Sequence, residues 1–580
     1  MLPRRRPRWR TVAVPLLAAW AAAVIALGIL AVRDLQRGAD QLRTARAELD
    51  LGEVASGAVA GELRTARASF ASARSRVTNP LLLPLRPLPV VGRHLRSVTA
   101  LSKAAGTVTA TAERAVRDSA VAVRTPPATG EARLETLEVL RAVVRAASAE
   151  LRDVPLGPDR ALVGPLASRR SAFAEDLDEA RAALTRADAA LSTAVDLLRG
   201  PRRYLLLVGS NAEMRAGSGS FLSVGVLESQ GGSLRLGDTT AAGDLTLDPG
   251  EGVPYTDADL EARWGWLEPN REWRNLGLSP RFPASAALAS AMWTEATGES
   301  VDGVLALDVE TVRAIVAATG PVMVGDRTFE AGDVVPYLMH DQYVEAGAEL
   351  GGRQLERREL LGALAAAAVD AIQAGDVAVA DLADGLAGAV RGRHLLAWAK
   401  DPAQQAGWMA AGVAGDLPPD ALLLGVVNRG ANKLDPFLGV KANLAVSERG
   451  RGHEATVVVD LHNRAPAAGE PPYIAGPNPL TGTAAGEYKG IVALTVPGFA
   501  SDIRIEGVAP VAVAGADGET NVVGGEVRIP PGGRAKVTVR FDLPAAARSM
   551  TVQPSARIPP TTWTLRGEDF TDVEARTVTW

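Results

Sequence analysis

The stretch "YLLLVGSNAEMRAGSGSFLSVGVL", residues 204 to 227, sets one acid, Glu213, and one base, Arg215, in a short loop between two apolar runs. Gly209, Gly217 and Gly219 loosen that loop, because glycine reaches backbone angles closed to other residues. Successive amides in such a loop can cradle an anion, and a guanidinium adds a planar two-pronged grip on phosphate. The same two side chains serve equally well as a structural ion pair. A nucleotide-type phosphate loop does not fit. It requires a helix and a Lys-Ser/Thr pair after the glycines, whereas an apolar strand-like run follows here and the stretch holds no lysine.

Other catalytic patterns fail on spacing. No lysine has a serine three residues before it, which removes the Ser-x-x-Lys acyl-enzyme arrangement. "FLSVG" keeps half of a nucleophile elbow, with Phe221 where the first glycine belongs. His94, His340, His394, His453 and His462 never reach His-Glu-x-x-His spacing, which argues against a zinc protease. "NKLD", residues 432 to 435, copies a guanine-reading motif without a phosphate loop to accompany it. Asn428 and Asn432 are expected instead to satisfy backbone groups in a turn. Trp264, Trp266 and Trp273 cluster in "RWGWLEPNREW", where packing under a loop competes with stacking on a sugar or a lipid surface. No metal ligands are expected, and no cofactor.

These residues need a frame. A chain of 580 residues exceeds one core, so roughly three or four units are expected. A hydrophobic content of 47% and a charged content of 22% describe a folded protein. The net charge of −5 argues against a nucleic-acid partner, and the absence of cysteine excludes disulfides and thiolate chemistry. The N-terminus reads as a basic cytoplasmic tail over 1–10, with five arginines, followed by a charge-free transmembrane anchor over 11–32. As a helix that run is roughly 33 Å long, and the preceding arginines would keep the tail inside and export the bulk as a single-pass protein.

Residues 33–200 read as a helical stalk or bundle. Leu35, Leu42, Leu49, Leu63, Phe70 and Val77 fall on one seven-residue repeat, interrupted at Ser56, with small companions Ala45, Val59, Ala66 and Ala73. "NPLLLPLRPLPVVG" (79–92) must end a helix. It reads as a bundle loop, with contact to lipid or a partner as the alternative. From 201 to 430 the pattern becomes an α/β (α+β) core: "YLLLV", "FLSVGVLES" and "SLRLGD" as strands, then a strand, helix and strand in "VDGVLALDVETVRAIVAATGPVMV". Asp308 is set to cap that helix and Gly320-Pro321 to stop it. Residues 431–580 alternate at short intervals and read as a β-sandwich, with 437–580 expected to fold alone.

"YLLLVGSNAEMRAGSGSFLSVGVL", "RFPASA", "VDGVLALDVETVRAIVAATGPVMV" and "NRGANKLD" together resemble the membrane-anchored envelope-protein family called domain of unknown function 4012, over roughly 200 to 545. The order of elements also resembles the LytR-CpsA-Psr transferases, which move glycopolymers from polyprenyl-phosphate lipids to the cell wall. That resemblance implies a pyrophosphate site. It offers Arg235 and Asp238 in "SLRLGDT" (233–239), and Arg353, Arg357 and Arg358 in "GGRQLERRELL" (351–361). Where those enzymes place an acidic metal ligand, this chain reads Ser-Gly-Ser-Phe, so magnesium enters only under the transferase reading. The expected function is a binding or scaffold protein for an envelope glycopolymer or lipid-linked pyrophosphate, with the transferase as alternative and no nucleotide partner. The expected ligand contacts are Arg215, Arg353, Arg357, Arg235, Asp238 and Glu213. Arg215 and at least one of Arg353, Arg357 and Arg358 are expected to converge on the anion; Arg353 and Arg357 share a helix face and are the better pair, with a helix surface paired to Glu356 and Glu359 as the alternative.

Overall fold

The structure is a computed structural model and describes residues 9–47, 58–245, 247, 252–346, 352–375, 377 and 379–580. It divides into two compact units, Met1–Thr125 with Glu135–Leu191, and Pro126–Leu134 with Ser192–Trp580.

The first unit is helical, with long helices Trp9–Ala47, Ala58–Val77 and Pro89–Val123. The seven-residue seam packs as its spacing predicts. Val59, Leu63, Ala66, Phe70, Ala73 and Val77 are all buried, and Gly38 gives the ring of Phe70 its space, since a Cβ there would lie 2.7 Å from it. Leu49 and Ser56 lie outside the described residues. Charges inside the bundle are paired: Asp34 accepts from Arg76 at 2.6 Å, and Glu113 accepts from Arg67 and Arg117. The proline segment forms a 3-10 helix, Pro80–Leu85, started by the Asn79 side chain accepting from the Leu81 amide at 3.0 Å. Leu82 points inward while Leu83, Leu88 and Val90 are exposed.

The N-terminal expectation is corrected here. Among the described residues, no helix is long and apolar enough to cross a membrane. The apolar run 11–32 is the first part of a longer helix that goes on through Arg33, Asp34, Arg37 and Asp40. Within the run Ala31 is buried and the Trp20 indole donates to the Leu81 carbonyl at 3.0 Å, while Ile29 and Val32 stay about half exposed. Hydropathy measured that run, but not the bundle it joins. The single-pass anchor is therefore not supported, nor is the export built on it. The basic tail lies outside the described residues up to Arg8.

The second unit makes the chain a mixed α/β protein. Its first sheet runs β3 (Ser233–Leu236), β2 (Gly219–Gln230), β1 (Arg202–Met214), β5 (Gly303–Asp308), β8 (Leu395–Ala399), with β4 (Thr240–Ala241) pairing β2. β1 and β5 are parallel and the other neighbours antiparallel. β1 reads as a pure apolar run because it is buried on both faces. Leu206 and Val208 share a core with Val312 and Ile315 of helix Val309–Thr319, while Leu205 and Leu207 share another with Phe282 and Leu288 of helix Phe282–Thr297. Gly231 and Gly232, both at positive φ, make the two-residue turn joining β2 to β3. Asp308 caps its helix as expected, one carboxylate oxygen accepting from the amides of Glu310 and Thr311 at 3.0 and 3.4 Å. A small hairpin, β6 (Val322–Val324) and β7 (Arg327–Phe329), follows.

The C-terminal part is two six-stranded sheets sharing one core. One is β13 (Ser501–Glu506), β16 (Arg534–Leu543), β11 (Gly452–Asn463), β10 (Leu438–Arg449), β18 (Thr562–Leu565), β19 (Glu568–Thr571). The other is β14 (Val511–Asp517), β15 (Thr520–Ile529), β12 (Tyr488–Pro497), β9 (Ala421–Asn428), β17 (Ser549–Val552), β20 (Arg576–Thr579). The interior strand β9 precedes residue 431. The stretch 437–580 taken alone would lack the strand that joins β12 to β17. The core also runs on from the first sheet: Leu206 and Val208 of β1 belong to one cluster with Leu424 of β9, Val459 of β11 and Leu494 of β12.

Candidate functional site

β1 ends at Met214 and β2 begins at Gly219, so the opening loop is the tip of an antiparallel hairpin, closed by the Arg215 amide donating to the Ser218 carbonyl at 2.8 Å. None of its glycines has a positive φ, so conformational freedom is not their role. Close approach is. A Cβ at Gly219 would collide with the Ser210 carbonyl, and one at Gly217 would lie 2.6 Å from the Ser279 carbonyl oxygen. Gly209 differs, its nearest neighbour being Phe221 at 3.5 Å. Gly219→Ala is expected to cost about 1–3 kcal/mol by forcing the tip apart, and Gly209→Ala less than about 1 kcal/mol. Urea unfolding of the two variants checks this; equal midpoints would dismiss the close-approach argument.

Arg215 turns inward and is only 5% exposed. It donates to the Asn275 side chain at 3.2 Å, the Met214 and Asn428 carbonyls at 3.1 and 3.4 Å, and Glu213 at 3.1 Å. Glu213 also accepts from Lys433 at 2.5 Å. The Lys433 ammonium lies 5.8 Å from the ring centroids of both Tyr343 and Tyr473, which stack on each other. Burial pushes the Glu213 carboxyl up, but Lys433 and then Arg215 overcome it and bring it down to about 2. Burial lowers Lys433, and Glu213 more than offsets that, leaving the ammonium above its ordinary value.

Behind this cluster sits a second one. Asp435, fully buried, accepts from the Met214 amide at 3.0 Å, the Asn428 side chain at 2.9 Å, the Tyr488 hydroxyl at 3.0 Å and Arg557 at 3.0 Å. Arg557 spends a further donor on the Leu438 carbonyl at 3.1 Å. Burial and the Asp435 carboxylate raise the Tyr488 phenol well above its usual range, so it stays a donor. "NRGANKLD" thus supplies Asn428, Lys433 and Asp435 to the pairing of the hairpin with the sandwich strands. Asn428 also accepts from the Gly430 amide at 2.9 Å, the turn role its residue type implies.

Of the other expected contacts, Arg235 and Asp238 are described. Arg235 is exposed and pairs with Glu228 directly across the β2–β3 ladder. Asp238 lies just beyond β3 and is exposed. Arg353, Arg357 and Arg358 belong to helix Gly352–Ala374, and their side chains lie outside the described residues. Among the described residues, no group of three or more His, Asp or Glu is placed to hold a metal ion.

Several participants carried no signal in the sequence. Lys433 and Asp435 sat inside a motif that pointed to nucleotides, and Arg557 and Asn275 lay in no motif. A separate buried group forms at the end of β5. The second Asp308 oxygen accepts from Asn211 at 2.7 Å and bonds His394 at 2.6 Å. Burial lowers the imidazole's proton affinity, and Asp308 more than restores it, leaving it above its usual value. Of the three tryptophans, Trp264 and Trp273 are core residues, but Trp266 is 49% exposed.

The chain matches no curated protein. Residues 199–343, which span β1 through β7, Asp308 and the hairpin tip with Glu213 and Arg215, match the family described as protein of unknown function (DUF4012), the first of the two families the sequence resembles.

Proposed function

We propose that the chain is a binding or scaffold protein for a phosphate-bearing glycopolymer or a lipid-linked pyrophosphate, and not a transferase. The reading rests on how the hairpin charges are used. Arg215, Lys433, Asp435 and Arg557 are buried, Glu213 is largely so, and all are bonded to one another or to backbone carbonyls. A transferase has to present its charged groups to the reacting phosphate, in an accessible cleft. Here they are consumed in a joint between sheet and sandwich, which is the work of a frame. The test is to incubate the full chain with a radiolabelled polyprenyl-pyrophosphoryl oligosaccharide and purified peptidoglycan. The label is expected to co-elute with the protein as intact lipid-linked material. Label moved onto peptidoglycan would overturn the reading, as would label that never associates with the protein.

A further inference from the structure

Arg429 follows β9 and is half-buried, yet its guanidinium differs from every cation in the adjoining network. Among the described residues no carboxylate lies within ion-pair distance of it, and its enclosed Nε has no hydrogen-bond partner. The ring of Trp266 faces it, with the centroid 5.3 Å from the guanidinium carbon. A half-buried guanidinium with no carboxylate partner is ready to pair with an anionic ligand through a charge-assisted bond.

The surroundings favour an anion. Burial first, and then the positive charge of Arg215, lower the proton affinity of Arg429, and Glu526 on β15 only partly offsets them. Arg215 sits close by, donating to the carbonyl of Asn428, the residue before Arg429. The two walls are also fixed to the same hub. Asn275 accepts from Arg215 at 3.2 Å and donates to the carbonyl of Leu267, the residue after Trp266, at 2.8 Å. The backbone segments that carry the indole and the guanidinium are therefore tied to one hub, which lowers the ordering cost of binding. Arg274, beside Asn275, is already paired with Glu272 and is not needed.

We propose that Arg429 and Trp266 form a binding site for a phosphorylated sugar, the guanidinium taking the phosphoryl oxygens and the exposed indole surface the flat face of the sugar ring. Guanidinium matches phosphate as a planar fork, and an exposed indole offers a large apolar face next to it. This deepens the binding-protein reading and rests on it. The phosphorylated sugar can be free or the headgroup of a lipid.

The experiment is isothermal titration of the full chain at low salt with glucose 1-phosphate, inorganic phosphate and glucose, alongside the lipid-linked oligosaccharide. Saturable binding of glucose 1-phosphate is expected, with glucose alone silent. Arg429→Gln should weaken glucose 1-phosphate at least about tenfold, the size of a lost charge-assisted bond. Arg429→Lys should fall between, because it keeps the charge and loses the fork; it also serves if the glutamine variant does not fold. Trp266→Ala should weaken glucose 1-phosphate several-fold and leave inorganic phosphate unchanged. Unaltered affinity in both Arg429 variants, or no saturable binding by the wild type, overturns the site. If the lipid-linked ligand still binds in that case, the broader reading survives while this site does not. Equal loss of free and lipid-linked ligands in Arg429→Gln assigns both to one headgroup seat.

Discussion

Asp435→Ala is expected to destabilise the second unit by about 3–5 kcal/mol. The side chains of Asp435 and Arg557 are both fully buried and 3.0 Å apart. Removing the carboxylate leaves the guanidinium without a counter-charge where water cannot reach it. It also takes the acceptor from the Met214 amide and from the Tyr488 hydroxyl, each of which then goes unsatisfied. Removing both charges is a different perturbation. A double change, Asp435→Leu with Arg557→Leu, deletes the isolated charge along with its partner and should cost clearly less than the sum of the two single variants. Denaturant unfolding of the four proteins measures the coupling. A single variant within about 1 kcal/mol of wild type, or strict additivity, would mean that the pair does not hold the hairpin to the sandwich.

Legibility in the sequence followed the range over which each interaction acts. β1, β2 and β3 could be read because apolar runs and a Gly-Gly turn act between neighbours, and the Asp308 cap because a carboxylate reaches amides two and three residues on. The seam Val59–Leu63–Phe70–Val77 followed from spacing alone. The run 11–32 does not stand alone as a span because its helix continues to Ala47 through charged residues, and one of them, Asp34, pairs with Arg76, 42 residues away. The hairpin tip was legible only as a choice. Glu213 and Arg215 announced an ion pair or an anion seat, and their further partners are Lys433, 220 residues away, and Asn275, 60 away. No local pattern carries such pairings. "NKLD" shows the opposite hazard: its residue types matched a nucleotide motif, while Lys433 and Asp435 are complements to Glu213 and Arg557. Arg429 gave no signal because a lone arginine after a strand is ordinary, and its lack of an acid partner is visible only in three dimensions.

The Glu213–Lys433 pair should set both pH limits of stability in this part of the molecule. The Glu213 carboxyl titrates at about 2 when folded, below its ordinary 4.5. A depressed acid contributes stability above its unfolded pKa and loses it as pH falls toward the folded one. The contribution is therefore complete above about pH 5 and gone near pH 2, and at 1.36 kcal/mol per unit it amounts to about 3 kcal/mol. Lys433 is shifted upward. A raised base contributes fully below its unfolded pKa, about 10.4, and loses that contribution as pH rises through the folded value. Between the two limits the pair is at full strength. Glu213→Gln should be markedly less stable than wild type at pH 7, because it leaves a buried ammonium unpaired. As pH falls from about 5 to about 2 the two should converge, since the wild-type carboxyl becomes neutral as well. Lys433→Met is expected to move the acid limb upward instead. It removes the strongest attraction holding the carboxyl down, and burial then pushes it up against Arg215 alone. Unfolding free energies of the three proteins across that range separate the cases: a gap between wild type and Glu213→Gln that stays constant with pH would show that the carboxyl is not depressed by the pair.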